Sequence, residues 1–124
     1  MNTPLYYLAS PYSHENPVVR QIRYEVTIYV ASKLTKEGYS LIEPIAMCHD
    51  QSGKYGLPTG YAYWKGRDRN LIARCDGILI LTLPGWDVSV GVQDELAYAK
   101  ELKKDVILIN YKEYVEQAVR EVLI

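Results

Sequence analysis

The chain has 124 residues, 48% of them apolar, and 14 Lys plus Arg stand against 15 Asp plus Glu for a formal net charge of −1. This near-neutral balance, with no polybasic tract, argues against a nucleic-acid polymer or an anionic membrane surface as partner and directs attention to a small molecule. The length suits one domain over residues 1–124, two scattered cysteines give no disulfide framework, and no leader-like segment opens the chain, so a cytoplasmic protein is expected.

Leu5-Tyr6-Tyr7-Leu8-Ala9 reads as a first strand, cut off by Ser10-Pro11-Tyr12-Ser13. Asn16-Pro17 then supplies an N-cap followed by proline at the first helical position. A long helix follows, with Val18, Ile22, Val26, Val30 and Leu34 as its expected buried stripe and Gly38 suited to the left-handed residue past its end. Ser40–Glu43 is a short second strand ending at Pro44. From Ile45 to Gly60 the pattern lapses into Gly, Pro and polar residues, which predicts an irregular connection that could act as a lid.

A helix is expected from about Tyr61 to Arg74, then a continuous apolar strand from Gly77 to Thr82 of the kind buried on both faces of a parallel sheet. Leu83–Asp87 is a loop, and Ser89-Val90-Gly91 opens a helix that runs to about Leu102. A second buried strand, Asp105–Ile109, and an amphipathic helix from about Lys112 to Val122 complete the alternation. Strand–helix alternation of this kind predicts an α/β fold, a doubly wound parallel sheet that binds its ligand beyond the carboxyl ends of its strands. The loop Ser10–His14, the loop Pro84–Ser89 and the region after Glu43 would then meet at one edge.

Glu95 is the misfit in this pattern. Val92, Leu96, Ala99 and Leu102 form an inward stripe and Glu95 falls inside it, whereas Asp94 points elsewhere. The preceding helix repeats the oddity, with Asp68 on the same face as Trp64, Leu71, Ile72 and Cys75. Burying an ionised carboxylate without partners costs several kcal/mol or more, so such placements need a hydrogen-bonding or catalytic reason. Two inward carboxylates beside one cleft suit glycosyl chemistry, in which one stabilises or attacks the anomeric carbon while another group manages the leaving group's proton. The residues leave a structural alternative open: Glu95 satisfied by a tyrosine or a backbone N–H, and Asp68 paired with Arg67, Arg69 or Arg74. Tyr7, toward the end of the first strand, can reach a carboxylate, with core packing as the alternative.

Ser89-Val90-Gly91 offers a helix start able to hold a phosphate, or simply an N-cap and a close-packing glycine. Trp64 and Trp86 are candidates to stack a base, with packing as the alternative. Cys48-His49 lacks spaced-ligand geometry and the other histidine is His14, so neither a metal nor a cofactor is expected. No P-loop or dinucleotide fingerprint is present.

Taken in order, Tyr7-Leu8-Ala9-Ser10-Pro11, Asp68 shortly before Asp76, and Ser89-Val90-Gly91-Val92-Gln93-Asp94-Glu95-Leu96-Ala97-Tyr98-Ala99 resemble the nucleoside 2-deoxyribosyltransferase superfamily. The resemblance runs over roughly residues 5–110. That superfamily includes the 2′-deoxynucleoside 5′-phosphate N-hydrolases and small phage and bacterial proteins with a start like residues 7–14. It implies a flavodoxin-like or Rossmann-like doubly wound sheet of four to five strands, with Glu95 as nucleophile at C1′ of the sugar, Asp68 assisting the departing base and Tyr7 orienting the nucleophile. Ser10, Ser89 and Gly91 would contact the substrate's sugar or phosphate. The Cys48–Gly60 segment, including His49, corresponds to the region that varies with base identity. A serine at position 89 matches the monophosphate hydrolases, whereas Ser13 stands where they carry an arginine, so phosphate charge would need Arg67, Lys65 or another donor. The expected partner is a nucleoside or nucleotide, and the expected assembly a homodimer or higher homo-oligomer. Deoxyribosyl transfer between bases, a non-catalytic nucleotide-binding module and glycohydrolysis of NAD are the rival readings.

Overall fold

A computed structural model describes residues 3–123; Met1, Asn2 and Ile124, which the single-domain expectation includes, lie outside the described residues. The elements are β1 (Leu5–Ala9), α1 (Pro17–Lys36), β2 (Ser40–Ile42), α2 (Pro44–Tyr55), α3 (Tyr61–Arg74), β3 (Gly77–Leu81), α4 (Val90–Glu101), β4 (Asp105–Ile109) and α5 (Tyr111–Leu123). All strands pair in parallel, in the order β2-β1-β3-β4. The expected doubly wound α/β sheet is therefore present, with four strands. Among the described residues no helix is long and apolar enough to cross a membrane.

Local chemistry sets the ends of the elements. Asn16 caps α1 by accepting from the Val18 amide at 2.9 Å. At its other end Gly38 takes φ 102°, and the bonds Gly38 N–H to Thr35 and Tyr39 N–H to Leu34 close a Schellman turn. At Gly77, a Cβ would sit 2.9 Å from the Asp105 carbonyl and 2.8 Å from the Tyr6 ring, so only glycine lets β3 start against both neighbours.

Alternation along the strands divides the core into two layers. Tyr7, Ala9, Ile78 and Ile80 face α3 and α4, where they meet Ile72, Cys75, Val92 and Ala99. Leu8, Leu79 and Leu81 face α1 and α5, where they meet Val30, Ala31 and Leu34. β3, central and covered on both faces, is buried throughout. β4 is an edge strand and less buried than its apolar run predicts, with Leu108 56% exposed.

The structure corrects two further expectations. The segment Ile45–Gly60 is mostly helix: Pro44 occupies the first turn of α2 rather than merely ending β2, and Gly56, at φ 73°, caps it. A short connection over residues 56–60 remains where a long loop was expected. The buried stripe of α1 also runs through Thr27, Val30, Ala31 and Leu34, leaving Val18 and Ile22 exposed. At 20 residues α1 is about 30 Å long, whereas the five residues of β1 span about 17 Å, so its first turns overhang the sheet.

Candidate active site

The order β2-β1-β3-β4 reverses direction between β1 and β3, and the crevice beyond their carboxyl ends is where a doubly wound sheet binds ligands. A cavity of about 540 Å³ lies there, within the usual range for small-molecule sites. The loops after β1 and β3 and parts of α1, α2, α3 and α4 enclose it.

Glu95 reaches this cavity from the middle of α4 and is only 5% exposed; Asp68 reaches it from α3 and is 7% exposed. Because the pleat turns Tyr7 toward the α3–α4 layer, its hydroxyl donates a hydrogen bond to Glu95 Oε2. Burial pushes the Glu95 carboxyl up to about 8; the Tyr7 hydrogen bond opposes that rise, while the charges of Asp68 and Asp94 add to it. Asp68 is also raised by burial, but Arg67 pulls it back by donating from Nε at 3.0 Å and Nη2 at 2.8 Å to Oδ1. The Tyr7 phenol is raised well above its ordinary value by burial and then by the neighbouring Glu95 charge, so it remains a donor.

Ser89 caps α4, its hydroxyl accepting from the Val92 amide at 3.3 Å. The amides of Val90 and Gly91, in the first turn, have no acceptor within the helix. Gly91 is also a packing residue: a Cβ there would lie 3.0 Å from the Tyr61 ring, whose hydroxyl donates to Asp94 at 2.7 Å. Ser10, at the end of β1, is buried and its hydroxyl is hydrogen-bonded to that of Thr27 at 3.0 Å. Trp64 lines the cavity with its ring, donates from Nε1 to the Pro58 carbonyl at 2.7 Å and lies beneath the Arg67 guanidinium, 4.4 Å from Cζ to ring centroid. Arg67 Nη1 is buried with no hydrogen-bond partner among the described residues.

Seven of the nine sequence-derived site residues thus line one cavity: Tyr7, Ser10, Trp64, Asp68, Ser89, Gly91 and Glu95. His49 and Trp86 do not. His49 is turned against α1, where it stacks on Tyr24 at 4.1 Å between centroids, and its nitrogens meet the Tyr12 hydroxyl at 2.7 Å and Gln21 Oε1 at 2.9 Å. The helix that replaces the expected loop sets this orientation, so His49 supports Tyr12, which does line the cavity. Trp86 packs half-buried against the α3–α4 layer.

Cys48 also faces the cavity, but burial holds its thiol up to about 11, far from a thiolate at neutral pH. Among the described residues no group of three or more His, Cys, Asp or Glu forms a metal-ligand set. Sequence reasoning missed Arg23, which lines the cavity from α1. Its signal is the one that marked Glu95, a charge on a buried stripe, and it emerges once that stripe is phased through Thr27 and Val30.

A comparison with curated proteins finds no match. Residues 4–111, most of the chain, match a family model, and the chain therefore belongs to the family described as a domain of unknown function, DUF1937.

Proposed function

We propose that the chain is an N-glycosidase that cleaves the base–sugar bond of a (deoxy)nucleoside or its 5′-monophosphate through a covalent glycosyl intermediate on Glu95. The observation that carries this reading is a buried, tyrosine-held carboxylate beside a second carboxyl group in a cavity of nucleotide size. The resemblance of the Tyr7–Pro11 and Ser89–Ala99 segments to the nucleoside 2-deoxyribosyltransferase superfamily supports it, and on the same footing we propose a homodimer.

The chemistry follows from the residues. Tyr7 engages Glu95 Oε2, which leaves Oε1 for C1′ of the sugar. As the Oε1–C1′ bond forms, the C1′–N bond breaks and its electron pair passes to the departing base. In the reactive form Asp68 carries a proton and supplies it to that base, and Arg67 fixes the direction of its carboxyl. Water then attacks C1′, gives its proton to Asp68 and releases Glu95 as carboxylate, completing a retaining double displacement. A second base in place of water would make the same site a transferase.

One observation favours a different class. A Glu95 carboxyl raised to about 8 is mostly protonated at neutral pH, which suits a hydrogen-bonding group in a nucleotide-binding module as well as a nucleophile awaiting its substrate. A base-release screen over ribo- and deoxynucleosides, free and 5′-phosphorylated, with NAD alongside, separates these readings. Release of free base from the wild type and its loss in Glu95→Ala is the expected result. Tight binding by calorimetry without any free base would favour the binding module, and base release that survives Glu95→Ala would remove the covalent mechanism.

A further inference from the structure

The two arginines of the cavity differ in what they hold. Arg67 gives Nε and Nη2 to Asp68, deep in the cavity, and keeps Nη1 without a partner among the described residues. Arg23, half-buried on α1, donates from Nη1 to the Ser13 carbonyl at 3.0 Å, and among the described residues no carboxylate pairs with it. Its position is built rather than incidental. Thr27, fully buried one turn further along α1, bonds both the Arg23 carbonyl at 2.8 Å and the Ser10 hydroxyl at 3.0 Å, pinning this turn of α1 to the loop after β1. Directly against the guanidinium, Gly85 leaves room for it: at φ 97° it disfavours a side chain, and a Cβ there would lie 3.0 Å from Arg23 Nη2. Ser89 and the first-turn residues of α4, whose amides lack acceptors within the helix, line the same cavity.

The cavity is therefore polarised. Glu95 and Asp68 supply carboxyl groups deep between α3 and α4, while Arg23 and the start of α4 supply donors near the loops. From Ser89 to Glu95 the helix rises about 9 Å, a separation on the scale of one pentose carrying a terminal substituent. We infer that Arg23, together with Ser89 and the opening amides of α4, binds the 5′-phosphate, and that this arginine makes a nucleoside 5′-monophosphate the preferred substrate over the free nucleoside. The guanidinium supplies several N–H donors in a planar fork that matches phosphate oxygens, and a single carbonyl occupies only one of them.

This inference rests on the N-glycosidase reading for its substrate, and the test keeps the two apart. The kcat/KM for a 5′-monophosphate and for its parent nucleoside are measured in the wild type and in Arg23→Gln. The wild type should favour the monophosphate, and the ratio should fall about 10- to 100-fold in Arg23→Gln, the range of one or two lost charge-assisted hydrogen bonds. Inorganic phosphate should inhibit the wild type competitively against the monophosphate, a readout independent of whether the variant folds. Equal losses on both substrates, or a wild type indifferent to the 5′-phosphate and to inorganic phosphate, would overturn the role of Arg23. If no substrate loses its base, the glycosidase reading fails alone: calorimetry of the same pair then tests Arg23, with monophosphate binding at least tenfold tighter than nucleoside binding in the wild type, and loss of that margin in Arg23→Gln, as the supporting result. No margin in the wild type would reject it.

Discussion

Asp94 and Glu95 are neighbours on one helix, yet their surroundings drive their chemistry in opposite directions. Asp94 faces the rim of α3, where Arg69 donates from Nη2 at 2.6 Å and from Nε at 3.1 Å, Tyr61 donates at 2.7 Å and Lys65 stands 3.7 Å away. Its carboxyl is held below the ordinary range by Arg69 first. Glu95 faces the cavity, is met by the Tyr7 hydroxyl and is raised to about 8 by burial. A turn of one residue around α4 thus separates a cation-bound structural carboxylate from one whose protonation changes near neutral pH. What distinguishes them is desolvation and partner charge rather than residue type or position along the chain.

The contrast is broken most severely at Glu95 itself. Glu95→Gln keeps the size and the Tyr7 contact but has no nucleophilic oxygen, and it should lower kcat for base release at least about a thousandfold. Asp94→Asn, one residue away, should leave kcat/KM within about threefold. Comparable losses in the two variants would place both residues in support of the fold and neither in the chemistry.

The pH dependence should follow the same division. With its carboxyl at about 8 when folded and 4.5 ordinarily, Glu95 retains a proton in the folded protein that the unfolded chain has released between those values. That contribution to stability is fully present below about pH 4.5 and is lost as pH rises toward 8, by at most about 1.4 kcal/mol per pH unit. Asp94 acts in the other direction, contributing above its ordinary 3.8 and losing that contribution as acidification reaches its lower folded value. Denaturant unfolding from pH 5 to 9 should therefore show wild type losing stability relative to Glu95→Gln, and the kcat/KM for base release should rise as Glu95 ionises near pH 8. A flat stability difference would remove the carboxyl's raised value.

Tyr7→Phe is the milder way to sharpen the contrast. Removing the hydroxyl takes away the hydrogen bond that favours ionised Glu95, so the rising limb of the rate profile should move to higher pH. At pH 7 kcat/KM should fall by about tenfold, the equivalent of one hydrogen bond to a charged group. An unchanged limb would mean that Tyr7 fills space without tuning the carboxylate. The smallest effect belongs to Asp94→Asn on stability, because Arg69 is a partly exposed partner: a small fall in Tm that diminishes with added salt is expected.

The strands and most helix ends were legible in the chain because their signals are local. Asn16-Pro17 and Gly38 bracket α1, and the unbroken apolar run Gly77–Leu81 announced a strand covered on both faces. α2 was missed because Pro44 reads equally as a strand stop and as a helix start, and Ser52-Gly53 inside the helix reads as a turn. His49 and Trp86 were drawn into the candidate site by their chemistry, and neither sequence neighbour nor periodicity shows that one turns toward Tyr24 and the other packs under α4.

By itself the sequence determined the order of every element except α2, the parallel character of the sheet and the inward placement of Glu95 and Asp68, since periodicity and capping are properties of neighbours a few residues apart. The meeting of Tyr7 with Glu95, the pairing of Arg67 with Asp68 and of Arg69 with Asp94, and the arrival of Arg23 beside Gly85 were decided only in three dimensions. Each depends on the crossing of elements far apart in the chain, where the pleat of β1, the phase of α1 and the approach of α3 to α4 fix which side chains share a cavity and, through burial, which of them hold a proton.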